Sequence, residues 1–242
     1  CQSSPDRGLW DKSLSWERCD FHWHLYQPQP DTWDEQYMEQ WCQKYLTYKS
    51  KDIKVLPVFV YNADWSWDRG ERTFEHHNQK WHIKPRPDGK FTCELYSLKD
   101  GKRVKDTSQF GGIQFMPGLK FKENNNIIDG NHTWALSSDN VEAWENFVRR
   151  VVNHLRQEPY NTEYFQVWNE AYPTSGFWFG GMDEFMERVY LPAAKIIREA
   201  GGKVVYGGWP CGGTIYEFIQ LLDKYKAWEL TDVLDIHYFP LA

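Results

Sequence analysis

Five short runs, each ending in polar or aromatic residues, alternate with stretches of helical period. This alternation constrains the fold more than any other feature. The runs are RCDFHWH (18–24), IKVLPVFVYNADW (53–65), YFQVWNE (164–170), KVVYGGWP (203–210) and VLDIHYFP (233–240). The second, over 53–65, is near-continuously apolar, which suits a parallel strand buried on both faces. The segments between the runs read as helices. Over 31–51, Tyr37, Trp41, Tyr45 and Tyr48 recur at helical spacing behind Asp31 or Thr32 as cap. Over 140–157, Val141, Trp144, Phe147, Val148 and Val151 form an inner face behind Ser138 or Asp139. Two more helices are expected over 182–200, where Pro192 would divide the segment, and over 214–228.

Strands that alternate with helices imply βαβ units and a parallel sheet. No Gly-rich phosphate loop follows any of the strands, which argues against a nucleotide-binding doubly wound fold. Each strand end instead carries chemistry-bearing side chains: His22 and His24, Asn62 and Trp65, Asn169 and Glu170, Trp209, and His237. A (β/α)8 TIM barrel presents its site in this way, at the C-terminal ends of its strands. The fold class expected is therefore α/β, a (β/α)8 barrel in one domain over 1–242. Residues 68–135 interrupt the alternation. They are rich in Gly, Lys, Asp and Asn, and FTCELYSLKDGKRVKD reads as a hairpin turning at Asp100-Gly101. This region reads as a long β-rich insertion on the C-terminal face, placed to wall one end of a cleft.

The net charge of -6 and pI near 5.8 argue against a nucleic-acid binder. No apolar run is long enough to span a bilayer. The five cysteines include no CxxC pair, so a structural zinc site is not expected and disulfide pairing cannot be deduced. Cys1 is either a fragment boundary or the residue on which a bacterial lipoprotein carries its lipid. The second case fits a secreted, periplasmic or outer-surface location. Asn131-His132-Thr133 is a glycosylation sequon that matters only in a secreting eukaryote. Aromatic residues make up 17% of the chain, with 14 Trp. Core packing is the commoner use of any one of them, although Trp faces also stack on sugar rings.

The stretches RCDFHW, KVLPVFVYNADW, AWENFVRRVVNHL leading into YFQVWNEAYP, and VLDIHYFP together resemble the clan A retaining glycoside hydrolases, and most of all glycoside hydrolase family 39. The resemblance runs from about residue 14 to the end, the insertion excepted. It implies Glu170, at the end of the fourth barrel strand, as general acid/base, and Asn169 as the residue that hydrogen-bonds the sugar 2-hydroxyl. It also implies Arg18 as the residue that orients the nucleophile, His237 as a lining residue, and Tyr238 or Phe239 in a neighbouring aromatic role. The family's nucleophile is a second Glu on a seventh strand, so the chain is expected to cover about strands 2 to 6, with the remainder of the barrel in sequence not given. The implied substrate is an oligo- or polysaccharide, with no cofactor and no nucleic-acid partner.

Retaining hydrolysis needs one carboxyl to protonate the leaving oxygen and another to attack the anomeric carbon. The acid must keep its proton near neutrality, and Trp168 and Tyr172 flank Glu170 as a low-dielectric wall. Strict alternation would put Asn169 and Glu170 on opposite faces, so the strand must end or kink there. Simpler roles stand beside these. Glu170 could be a loop acid, Arg18 could pair with Asp20 on its own strand face, and His237 could be a core histidine. Trp65, Trp67, Trp178 and Trp209 could all be packing residues. Two rival functions also remain. His22 and His24 share a strand face as metal ligands do in amidohydrolase barrels, with His76, His77 and His82 a weaker group. A non-catalytic carbohydrate-binding barrel fits the aromatic content equally well.

Overall fold

The structure, a computed structural model, describes residues 15–76, 78–85, 91–103, 126–128, 134–172, 177–210 and 215–237. Five strands form one parallel sheet: β1 (Trp16–His22), β2 (Lys54–Val60), β7 (Tyr164–Val167), β8 (Lys203–Pro210) and β9 (Val233–His237). Their spatial order is β1-β2-β7-β8-β9, so each strand of the sheet lies beside its predecessor. That singly wound order, with a helix in every crossover, is the order of a (β/α)8 barrel. A doubly wound sheet would reverse direction at a switch point.

The crossovers are α2 (Glu35–Lys49), α3 (Val141–Leu155), the pair α4 (Met182–Phe185) and α5 (Leu191–Glu199), and α6 (Ile215–Lys224). They lie close to the expected segments, with three corrections. Asp34 caps α2, its Oδ1 accepting from the Tyr37 N–H at 2.9 Å, so the helix begins later than Asp31 or Thr32 would start it. Ser137 caps a 3-10 turn over Ser138–Asn140 that leads into α3. Pro192 does not separate two helices. A π-helical turn over Met186–Tyr190 joins α4 to α5 and delivers Pro192 to the first turn of α5, where its missing N–H matters least. The first strand also ends earlier than expected: after His22 the chain turns into the one-turn helix α1 (Trp23–Tyr26), which carries His24 off the strand.

Phe147 on α3 anchors the core between sheet and helices. Its ring lies 5.8 Å from Phe21, 5.7 Å from Phe59 and 5.3 Å from Trp144. Trp23, Trp81, Trp134, Trp144, Trp168, Trp178 and Trp209 are all fully buried, so tryptophan serves the core more than any open surface. The thiols of Cys19 and Cys42 are free and buried, and burial pushes Cys19 up to about 12. Among the described residues no helix is long and apolar enough to cross a membrane.

The insertion leaves the C-terminal end of β2. It builds an antiparallel sheet in the order β3 (Arg72–His76), β4 (Gln79–Pro85), β5 (Phe91–Ser97) and β6 (Asn126–Ile128). The expected turn at Asp100-Gly101 is present, closed by Gly101 N–H to Ser97 O at 2.8 Å. The two feet of the insertion bind each other through Asp68 N–H to Ala135 O and Ser137 N–H to Ser66 O, each 2.9 Å. Trp81 stacks on Phe74 and meets Phe179 edge-on, which docks this sheet on the segment that follows β7. The insertion therefore stands on the same side of the molecule as the strand ends.

Candidate active site

Alternation along β1 turns Cys19 and Phe21 toward the helices and Arg18, Asp20 and His22 to the opposite face. Gln166 of β7 shares that face with Arg18. Arg18 organises the cluster. Its Nη2 donates to Asn169 Oδ1 at 2.7 Å, and its Nε donates to Gln166 Oε1 at 3.0 Å. Gln166 in turn donates from Nε2 to the Trp168 carbonyl at 2.9 Å, so the amide is fixed at both ends. Arg18 also lies 3.8 Å from Asp20 and 3.9 Å from Asp235. The pairing with Asp20 is thus present, but the shorter contacts bind the arginine across the sheet.

Asn169 and Glu170 are neighbours that both face this cluster, against strict alternation. The backbone explains how. Regular pairing ends at Val167, and Trp168 and Glu170 adopt φ of 67° and 46°. Two left-handed residues flanking Asn169 reverse the pleat and bring both side chains to one side. The neighbouring strand makes room. At Gly208, φ is 74°, and a Cβ there would come 2.8 Å from the Glu170 amide nitrogen and 2.9 Å from Asn169 Oδ1. The bulge in β8 at Gly207/Trp209 is thus shaped around the Asn-Glu pair.

Glu170 Oε1 lies 2.7 Å from His237 Nδ1, and the two side chains are only 16% and 20% exposed. His237 Nε2 faces Asp235 Oδ2 at 3.4 Å. The Asp235 carboxylate beside Nε2 and the hydrogen bond to Glu170 raise the imidazole to about 9 in spite of its burial. Burial alone would raise the Asp235 carboxyl, but the His237 contact and charge, with Arg18 and Gln166, bring it below its ordinary value. Tyr61, in a left-handed conformation at the end of β2, closes one side, its ring 5.0 Å from His22. Burial, together with the charges of Asp20 and Glu170 and against that of Arg18, pushes its hydroxyl up to about 12. Tyr172 lies beyond Glu170, and burial followed by the Glu170 charge raises its hydroxyl as well.

The expected site residues divide. Arg18, Asn169, Glu170 and His237 converge. Tyr238 lies outside the described residues. Asn62 is fully buried and donates to the Trp134 carbonyl at 2.6 Å, tying the far end of the insertion to β2. Trp209 is a core residue, 2% exposed and stacked on Phe218 at 4.2 Å, and Trp178 is fully buried. Trp168 is fully buried and its indole N–H donates to the Phe177 carbonyl at 2.8 Å. Trp65 is half-buried, donating to the Gln27 carbonyl at 3.1 Å. His24, displaced onto α1, stacks on His22 with ring centroids 5.3 Å apart. Among the described residues no group of three or more His, Cys, Asp or Glu side chains converges as a metal site would require. Asp235, Gln166 and Tyr61 were not anticipated. The signal for Asp235 was its position two residues before His237 on one strand face. For Gln166 it was a polar residue inside an apolar run.

Fold and cluster together define a class: a barrel-type parallel sheet with a carboxylate–imidazole–carboxylate array and an Arg-held amide at its strand ends. No family model and no curated protein matches the chain. Among solved structures it is similar to a family 39 glycoside hydrolase from the gut symbiont Bacteroides cellulosilyticus WH2, at 14% identity and a TM-score of 0.44 over 92% of this chain. It is also similar to endo-glycoceramidase II from Rhodococcus sp. in a ganglioside complex, at 13% identity and a TM-score of 0.39 over 79% of this chain. The chain spans 32% and 40% of those two proteins. At these identities the likeness concerns the path of the chain, and the chemistry rests on the residues themselves.

Proposed function

We propose that this chain carries the acid/base half of a retaining glycoside hydrolase acting on an oligo- or polysaccharide. The observation that carries this reading is Glu170. It sits largely buried at a strand end, hydrogen-bonded to His237, beside an Asn169 whose carbonyl oxygen is occupied by Arg18. With Oδ1 accepting from arginine, the Asn169 amide is turned so that its NH2 group serves as a donor. A donor is what a sugar 2-hydroxyl oxygen requires as the ring flattens in the transition state. Glu170 would protonate the leaving oxygen in the first step and take a proton from water in the second. The attacking carboxylate is expected from a seventh barrel strand, and the insertion would wall the site on one side.

The test uses the full-length protein and aryl glycosides of several sugars. Glu170→Gln should lower kcat/KM about 10²- to 10⁴-fold on a poor leaving group, and far less on a dinitrophenyl glycoside that departs without a proton. Equal and unimpaired rates on both substrates would sink the assignment.

A further inference from the structure

His237 meets a carboxylate oxygen at each ring nitrogen, Glu170 at 2.7 Å and Asp235 at 3.4 Å. With both acids ionised, a neutral imidazole, which has one N–H and one lone pair, would turn the lone pair on one of them. The doubly protonated ring instead donates to Glu170 and stands as a cation 3.4 Å from the Asp235 carboxylate. The surrounding charges agree. From β1 come Arg18 and Asp20, from the end of β7 Glu170, and from β9 Asp235. His22 at the end of β1, Tyr61 after β2 and Tyr172 after β7 also line this region, and burial keeps both tyrosines protonated far above neutrality. Asp20 and Asp235 share the one guanidinium while Glu170 and Asp235 flank the ring, and this excess of acid groups favours an imidazolium.

We propose that Asp235 is a positioning residue that keeps His237 doubly protonated, so that the His237–Glu170 pair, rather than Glu170 alone, stores the catalytic proton. The proposal rests on the glycosidase reading. In the resting pair the proton lies on His237 Nδ1 and Glu170 is a carboxylate. As the glycosidic bond breaks, the Nδ1–H bond breaks and its proton crosses to Glu170. Glu170 delivers one proton to the leaving oxygen and returns to carboxylate. His237 is left neutral, its remaining proton on Nε2, 3.4 Å from Asp235. In the second half, water adds its oxygen to the anomeric carbon as the carbon's bond to the attacking carboxylate breaks; one water proton returns through Glu170 to His237 and the other stays on the new sugar hydroxyl. The pair then titrates as a unit, and its basic limb belongs to the imidazole. The Asp235 and Glu170 contacts that lift His237 to about 9 act in the same direction.

The experiment follows His237 by NMR in full-length protein with labelled histidine, alongside the pH profile of kcat/KM on an aryl glycoside. Wild-type His237 should titrate well above 8, with the basic limb of activity at the same pH. Asp235→Asn should lower both midpoints together by about one pH unit or more, and Asp235→Glu should restore part of the shift. A wild-type His237 that titrates at the ordinary imidazole value overturns the proposal without any variant. So does a basic limb that stays in place while the Asp235→Asn imidazole midpoint falls. Either result with Glu170→Gln still crippled removes the proton store and leaves the glycosidase reading standing. Unimpaired Glu170→Gln removes both.

Discussion

At the scale of single residues, the site depends on three backbone choices that place two adjacent side chains on one face. Trp168 and Glu170 are left-handed, and Gly208 lies close enough to them that a methyl group would meet the Glu170 amide nitrogen at 2.8 Å. Gly208→Ala should therefore cost about 1–3 kcal/mol in stability, from the left-handed backbone and the contact together. On the proposed function it should also lower kcat by more than about tenfold, since a small displacement of a reacting group weighs heavily on rate. Gly101→Ala is the control. It shares a positive φ, 68°, but has nothing within 4 Å, so stability should fall slightly and activity should stay. Equal activity losses in the two variants would show that no close approach at Gly208 matters. Asn169 and Glu170 were legible in the sequence because an amide and an acid ended an apolar run. The left-handed turn was not, because Trp168 carries no mark of it: glycine advertises such a conformation and tryptophan does not. Asp235 is illegible for a different reason. A carboxylate on an apolar strand gains its meaning only from Arg18 and His237, and Arg18 is more than 200 positions away in the chain.

At the scale of elements, strands and helices followed their periodicities, whereas the attachment of the insertion did not show in any local pattern. Its feet are held by long-range contacts centred on Arg188. The Arg188 guanidinium Nη1 donates to Asp68 Oδ2 at 3.1 Å and to the Leu136 carbonyl at 2.8 Å, and pairs with Glu184 at 3.2 Å. Asp68 and Glu184 are only 24% and 18% exposed, so removing the cation leaves two acids poorly solvated beside each other. Arg188→Met keeps the stem and deletes the charge. Hydrogen exchange should quicken at the Asp68 and Ser137 amides, which bind across the two feet, while the amides of α3 keep their protection. Loss of protection that spread evenly into α3 would mean that the insertion and the barrel-type sheet unfold as one unit. The caps of α2 and α3 moved by a few residues for a related reason. Several Asp, Ser and Thr side chains compete near each helix start, and the chain's entry from the preceding turn selects among them.

At the scale of the whole molecule, the barrel-type order of the sheet was legible because each βαβ unit repeats the same rule. The polar face that the sheet shares was not, because it is assembled from β1, the end of β7 and β9 at once. That face gives the fold a particular dependence on pH. The folded His237 holds its proton to about 9 against an ordinary 6.5, so its contribution is complete below 6.5 and disappears as pH rises through 9. The lowered Asp235 contributes above its ordinary 3.8, and that part is lost as pH falls through its depressed folded value. Buried tyrosines such as Tyr190 and Tyr206 stay protonated in the fold past their ordinary value of 10, so their contribution declines only above that pH. Urea denaturation across this range should show an alkaline decline in two steps, the first between 6.5 and about 9 and the second beyond 10. In His237→Gln the first step should vanish and the second should remain, because the tyrosines lie in the helix-packed core and the imidazole at the strand ends. A first step that survived in His237→Gln would place its origin elsewhere in the molecule. It would also mean that the imidazole is not charged between its two carboxylates.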